Sequence, residues 1–400
     1  MVNVAVMGFG TVGSGVVEVM AENSAGITRK AAEEIAVKYI LDVRKDIVSP
    51  FADKIISDFS LIENDPEVSI VVETIGGVGV AYEFTKRALL AGKSVISSNK
   101  ELVATKGDEL IAIAKDKNVN YLFEASVGGG IPIIRPITQC LAANEIDEIY
   151  GILNGTTNYI LTEMIQCGTS FEDALKQAQE KGYAEQNPTA DIEGLDACRK
   201  ICILSDLCFG KHVDPDTIGV EGISGVTLED VEYAGILGYK IKLLGRALRT
   251  GEGHITAYVA PHLISAANLL SNVDGVMNGI IVHGNAIGEA MFYGAGAGKR
   301  PTASAVVADI IDAAKHSKSR KYLDWEDGVE GYVTDSAELK SRWYVRVKAS
   351  SEQIKKAFTA QSLVGGEKGE YAFISADMTE KELTAAGKGL DIRSTYRILG

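Results

Sequence analysis

The densest chemistry in this chain lies in AQEKGYAEQNPTADIEGLDACRK, residues 178–200. Asp191 and Glu193 follow a Pro-containing loop behind Gly182, and Asp196 and Lys200, four apart, share one face of a helix. By composition these charges read as a solvated helix start. The functional alternative is an amine and a carboxylate held over a substrate, where a lysine withdrawn from water exchanges a proton with a carbonyl oxygen. A second lysine, Lys100, closes the run SVISSNK. Alone it reads as surface; at the carboxyl end of a strand beside a cofactor it becomes a second proton-handling group.

A different chemistry sits near residue 10. The apolar run VNVAVM leads into Gly8-Phe9-Gly10-Thr11-Val12-Gly13 and then helical text. Gly8 permits a tight turn, Gly10 lets the backbone approach a pyrophosphate, and Gly13 lets helix pack on strand, with phosphates at the helix N-terminus. Asp42, ending KYILD, is the residue expected at the adenosine ribose. An acid there favours the free 2′-hydroxyl of NAD, whereas Arg44 and Lys45 could hold the 2′-phosphate of NADP; both readings stand. Thr74 in ETIGG, together with Ser98 and Asn99, marks later strand ends on the nicotinamide side. Glu124-Ala125-Ser126-Val127-Gly128-Gly129-Gly130-Ile131 reads either as a hinge or as a loop whose carbonyls ligate a hard cation.

These groups need a frame. Short β-branched runs alternate with amphipathic stretches over the first 130 residues, which predicts βαβ units and a parallel sheet, an α/β Rossmann-type doubly wound nucleotide-binding domain (1–130, rejoined by a helix at about 298–320). Residues 131–297 read as an α+β catalytic and dimerisation domain, with helices expected at 170–181, 195–208 and 228–248 and strands in DEIYGILN and GHITAYVAP. Residues 331–400 run strand, helix, two strands, helix, strand, the order of a small ferredoxin-like domain. That tail carries 11 basic and 9 acidic residues, so the acidity belongs to the rest of the chain, which carries a net −16 against a total of −14.

With a pI near 5.0, the field of the whole chain repels phosphate backbones and anionic lipid heads, so neither a nucleic acid nor a membrane is an expected partner. Five cysteines, an odd number set mostly in helical text, fit reduced thiols in a cytoplasm rather than a disulfide framework. No leader-like opening and no apolar run of membrane-spanning length is legible. The five histidines lack metal spacing, Cys198 and Cys202 read as a buried thiol pair, and no GxSxG turn supports hydrolase chemistry.

Ala178, Gly182, Asn187, Pro188, Asp191, Gly194, Asp196 and Lys200 fill, position for position, a pattern that resembles the signature of homoserine dehydrogenases. GFGTVG, SSNKELVA, EASVGGGIPII, GILNGTTNYI and GAGAGKRPTASAVVADI are similar to text of that family in the same order, over residues 1 to about 320. The resemblance implies reversible hydride transfer between L-aspartate 4-semialdehyde plus NAD(P)H and L-homoserine plus NAD(P)⁺. It implies that Lys100 and Lys200 are catalytic, that Glu185 and Asp196 hold Lys200, and that Gly155, Thr156, Tyr183, Glu185 and Asp191 form the amino-acid pocket. It implies a structural monovalent cation such as sodium at Glu124, Val127, Gly129 and Ile131, a nicotinamide contact at Gly298, and a homodimer, with a tetramer as the larger assembly. Because a free lysine titrates at about 10.4, homoserine oxidation is expected to favour alkaline pH.

Many members of that family end in a regulatory amino-acid-binding ACT domain, marked by an acidic residue and Pro-Gly after its first strand. Here the text is Arg346-Val347-Lys348-Ala349-Ser350-Ser351, so the order is ACT-like but the ligand loop is missing. The preferred reading is a tail that packs. Two other functions fit the sequence less well. An aspartate-semialdehyde dehydrogenase needs a nucleophilic Cys, and none lies in a suitable setting. A catalytically dead nucleotide sensor would have lost Lys100, Lys200, Glu185 or Asp196.

Overall fold

The architecture is taken from a computed structural model that describes residues 1–44, 46–251, 253–317, 323–366 and 369–399. Lys45, which the sequence pairs with Arg44 as a phosphate contact, lies outside the described residues.

From the amino end come β1 (Val2–Met7), α1 (Thr11–Glu22), α2 (Ser24–Ala31), β2 (Ile35–Leu41), β3 (Ile55–Ile56) and α3 (Ser60–Glu63). Then follow β4 (Val68–Glu73), α4 (Gly79–Leu90), β5 (Ser94–Ser97), α5 (Lys100–Lys117) and β6 (Tyr121–Leu122). The middle of the chain forms β7 (Ile146–Ile152), α6 (Gly155–Cys167), α7 (Phe171–Glu180), α8 (Thr189–Ile192), α9 (Leu195–Phe209), β8 (Gly219–Val220) and α10 (Leu228–Ile236). Next are β9 (Tyr239–Gly251), β10 (His254–Ser265), β11 (Met277–Gly284), β12 (Gly288–Ala295) and α11 (Lys299–Lys315). The last part holds β13 (Trp343–Lys348), α12 (Ser351–Ala357), β14 (Gln361–Gly365), β15 (Glu370–Ile374), α13 (Glu380–Ala386) and β16 (Asp391–Leu399).

Contacts divide the chain into two compact units. The first comprises Met1–Glu145, Cys202–Pro215 and Gly294–Gly328. Its parallel sheet has the order β3-β2-β1-β4-β5-β6, so the strand order reverses between β1 and β4. In open α/β sheets ligands bind at such a point, outside the strands' carboxyl ends. Every residue of β1 is buried, as a strand covered on both faces requires. Helix α11 packs on α1, and α4 on α5.

The second unit comprises Ile146–Ile201, Asp216–Tyr293 and Val329–Gly400. One sheet runs through it in the order β12-β11-β7-β9-β10-β16-β13-β15-β14, with β8 on β10. The C-terminal part of that sheet has the order β16-β13-β15-β14 with antiparallel neighbours, the ferredoxin-like arrangement. It is joined to the rest: β16 pairs in parallel with β10, His262 opposite Arg397 and Ile264 opposite Leu399. Leu399 also enters a core with Tyr150, Leu244 and Ile264.

A helix over 228–248 does not form. Helix α10 stops at Ile236, Gly238 takes φ +83°, which an L side chain resists, and the following residues build β9. Its Ile241, Leu243 and Leu244 satisfy a buried central strand as well as a helix, so local pattern could not separate the two.

Candidate functional site

In the first unit the turn after β1 has the geometry its glycines imply. Gly8 sits at φ +92°, and a Cβ on Gly13 would lie 1.9 Å from the Gly8 carbonyl and 2.7 Å from Thr74 Oγ1. The Thr74 hydroxyl donates to the Met7 and Gly8 carbonyls at 2.9 and 3.0 Å, tying the end of β4 to the turn. Gly10, the residue preceding α1, has open space where a side chain would stand, next to Thr11 and Val12 of the first helical turn. An extended backbone at a helix start with free space beside it suits a pyrophosphate.

Asp42 follows β2 and accepts the Phe9 N–H on Oδ2 at 2.9 Å. Arg44 closes on the same carboxylate through Nε at 2.9 Å and Nη2 at 2.8 Å, and holds it well below the usual carboxylate range. The ribose acid and the candidate phosphate contact thus form one ion pair.

At the end of β4, Glu73 is fully buried, and burial pushes its carboxyl up. It accepts from Ser97 Oγ at 2.7 Å and from the Ile75 N–H at 2.8 Å. Ser97 Oγ accepts the Asn99 N–H, and Asn99 caps α5 through Leu102 N–H while donating to the Gly77 carbonyl at 2.6 Å. This chain of bonds places Ser98 and Asn99 and puts Lys100 in the first turn of α5. The sequence marks Glu73 as a strand end but gives it no role; an acid ending a β-branched run is the signal.

Glu124, in the candidate cation loop, spends its carboxylate on the N–H groups of Ile133, Ile134 and Arg135 at 2.6–2.8 Å. The carbonyls of Val127, Gly129 and Ile131 accept no hydrogen bond among the described residues. Asp309 of α11 is buried against this loop; it accepts the Glu124 N–H at 2.9 Å and Arg135 Nη2 at 2.7 Å, and burial pushes it up to about 7. Gly298 directly precedes α11. Among the described residues no group of three or more His, Cys, Asp or Glu could hold a metal ion.

In the second unit Lys200, on α9, is buried, and its Nζ donates to Asp196 Oδ2 and to the Leu153 carbonyl, each at 2.7 Å. Asn154 donates to Asp191 Oδ1 at 2.7 Å and to Asp196 Oδ2 at 3.0 Å. Burial raises Asp191, its close neighbour Asp196 adding to the effect. Gly155 and Thr156 open α6, Thr156 Oγ1 donates to the Tyr183 carbonyl at 2.6 Å, and the Tyr183 ring meets Tyr159 edge-on. Lys200, Asp196, Asp191, Thr156 and Tyr183 therefore gather around Asn154 and α6. Glu185 is exposed, and its carbonyl accepts from Gln179 at 3.1 Å. Asn154 itself was quoted in GILNGTTNYI but given no role; an Asn just before a helix start was the signal.

Residues 8–124 match the family model described as homoserine dehydrogenase, NAD binding domain, and residues 132–311 match the model described as homoserine dehydrogenase. The homoserine dehydrogenase of Neisseria gonorrhoeae is 43% identical over 361 residues, spanning 88% of this chain and 82% of its own. The chain belongs to the homoserine dehydrogenase family. A crystal structure of a homoserine dehydrogenase from Thiobacillus denitrificans superposes with a TM-score of 0.91 at 37% identity, covering 100% of this chain and 98% of that one. A hyperthermophilic archaeal homoserine dehydrogenase in complex with NADPH superposes at 0.65 with 31% identity over 78% of this chain and 97% of that one. Homoserine dehydrogenase activity, the NAD(P)-dependent interconversion of L-aspartate 4-semialdehyde and L-homoserine, is the function that goes with this membership. Among the described residues no helix is long and apolar enough to cross a membrane.

Proposed function

We propose that Lys200 is the acid–base group of this dehydrogenase. One observation carries the reading: a buried ammonium is held by a carboxylate and a backbone carbonyl, so its position is set before substrate arrives. Bound NAD(P) supplies or accepts the hydride. As negative charge grows on the substrate oxygen, the Lys200 ammonium stabilises it and donates the proton; in oxidation the neutral amine takes the proton back. Lys100, at the carboxyl end of β5, is the second lysine of this reading.

Asp191 anchors the substrate ammonium, and the N–H groups of Gly155 and Thr156, opening the 13-residue α6, suit its carboxylate. Tyr183 and Glu185 complete the pocket. Gly8 to Gly13, Asp42, Arg44, Thr74, Ser98, Asn99 and Gly298 bind the cofactor, and the carbonyls of Val127, Gly129 and Ile131 with Glu124 take a monovalent cation such as sodium. The partition into a nucleotide domain (1–130 with about 298–320), a catalytic domain (131–297) and an ACT-like tail (331–400) belongs to the same reading. So do a cytoplasmic setting and a homodimer. Edge strand β12 favours the dimer, since Tyr293 on it is 56% exposed.

The test is the initial rate at 340 nm with L-aspartate 4-semialdehyde, for NADH and NADPH, in the wild type and Lys200→Ala. Rapid oxidation lost in the variant supports the assignment; a variant at wild-type rate overturns it.

A further inference from the structure

Asn154 bonds to both Asp191 and Asp196 of the second unit's polar cluster, and the direction of its amide is determined. Its Oδ1 accepts the Thr157 N–H at 2.8 Å, closing the start of α6. Only the NH₂ end can then face Asp191 and Asp196, and it donates to both. Asp196 Oδ2 is also the oxygen that holds Lys200. The residue is buried, 6% exposed, so water does not replace these bonds.

We propose that Asn154 is a positioning residue of the reaction, whose two amide protons fix Asp191 and Asp196 side by side so that the lysine and the substrate ammonium are held in register. The inference rests on the reading of Lys200 above. Two carboxylates a shared amide apart repel, and donors between them offset that repulsion. Without the donors Asp196 loses one of the bonds that orient the carboxylate holding Lys200. Asp191, no longer bridged, loses a hydrogen bond that favours its charged form, and its hold on an ammonium weakens.

Capping and bridging can be separated. Asn154→Ser and Asn154→Thr each keep an oxygen able to cap α6 but have only one proton and a shorter reach, so neither can bridge both carboxylates. Thermal melting and steady-state kinetics of homoserine oxidation are measured for both, with Lys200→Ala alongside. The expected result is a melting midpoint within a few degrees of wild type for Asn154→Ser. Its kcat should fall and its KM for homoserine rise, together lowering kcat/KM about ten- to a hundred-fold. Should Asn154→Ser not fold, Asn154→Thr gives the same comparison. Kinetics within twofold of wild type in the folded variant, with Lys200→Ala inactive, overturn the role of Asn154 and leave that of Lys200. An active Lys200→Ala removes both.

Discussion

Arg44 grips Asp42 at two points, Nε on Oδ1 and Nη2 on Oδ2, while the other face of that carboxylate takes the Phe9 N–H. A residue that would accept the ribose 2′-hydroxyl of NAD is thus neutralised by one that would attract the 2′-phosphate of NADP. Arg44→Ala should unmask the acid. The ratio of kcat/KM for NADPH to that for NADH is expected to fall about ten-fold, a change of about 1.4 kcal/mol. A ratio that does not move would show that Arg44 has no part in reading the ribose.

Gly10 and Gly13 should fail differently when replaced by alanine. At Gly13 the new carbon meets backbone at 1.9 Å, so the turn must shift; a loss of about 1–3 kcal/mol is expected, together with nucleotide binding. At Gly10 the space is open, so the melting midpoint should stay while nucleotide affinity drops. Differential scanning calorimetry and a fluorescence titration with NADPH check both; equal destabilisation would sink the distinction.

Asp206 and His212, 3.0 Å apart in the first unit, make stability depend on pH. Hydrogen bonding to Asp206 raises His212, so its contribution is full below the unfolded value of about 6.5 and is lost as pH climbs through the higher folded value. Burial pushes Asp206 up to about 6, so its contribution is likewise lost as pH rises from about 4 toward 6. Both effects have the same sign. Wild-type melting should fall between pH 6.5 and 8.5, and His212→Gln should flatten that window; parallel curves would exclude the pair as the cause.

Asp230 is wholly buried on α10 and accepts from Arg346 Nε at 2.8 Å, from Tyr344 at 3.2 Å and from Ser394. Arg346→Met strands that carboxylate, and a loss of about 3–5 kcal/mol in urea unfolding is expected. A loss below about 1 kcal/mol would mean that the hydroxyls suffice.

The nucleotide turn was legible because everything that makes it is local: strand, three glycines and helix within about 20 residues. The order of the last six elements was legible for the same reason. What the sequence hid is what distant segments do to each other. Asn154 acquires its meaning from Asp191 and Asp196, and Glu73 from Ser97, pairs that no periodicity connects. The junction of β16 with β10 hid too, since an apolar strand carries no mark of its neighbour. From Ile241 to Leu244 the apolar side chains suited helix and strand alike, and the turn at Gly238 decided it.

Lys299 of α11 bonds Glu18 of α1 at 2.8 Å across 281 residues of chain. During synthesis, therefore, the first 145 residues wait with a face of α1 uncovered until three quarters of the polypeptide has left the ribosome. The nucleotide-binding unit, though it begins the chain, is finished late, and the second unit, whose β16 must pair with β10, is finished later still.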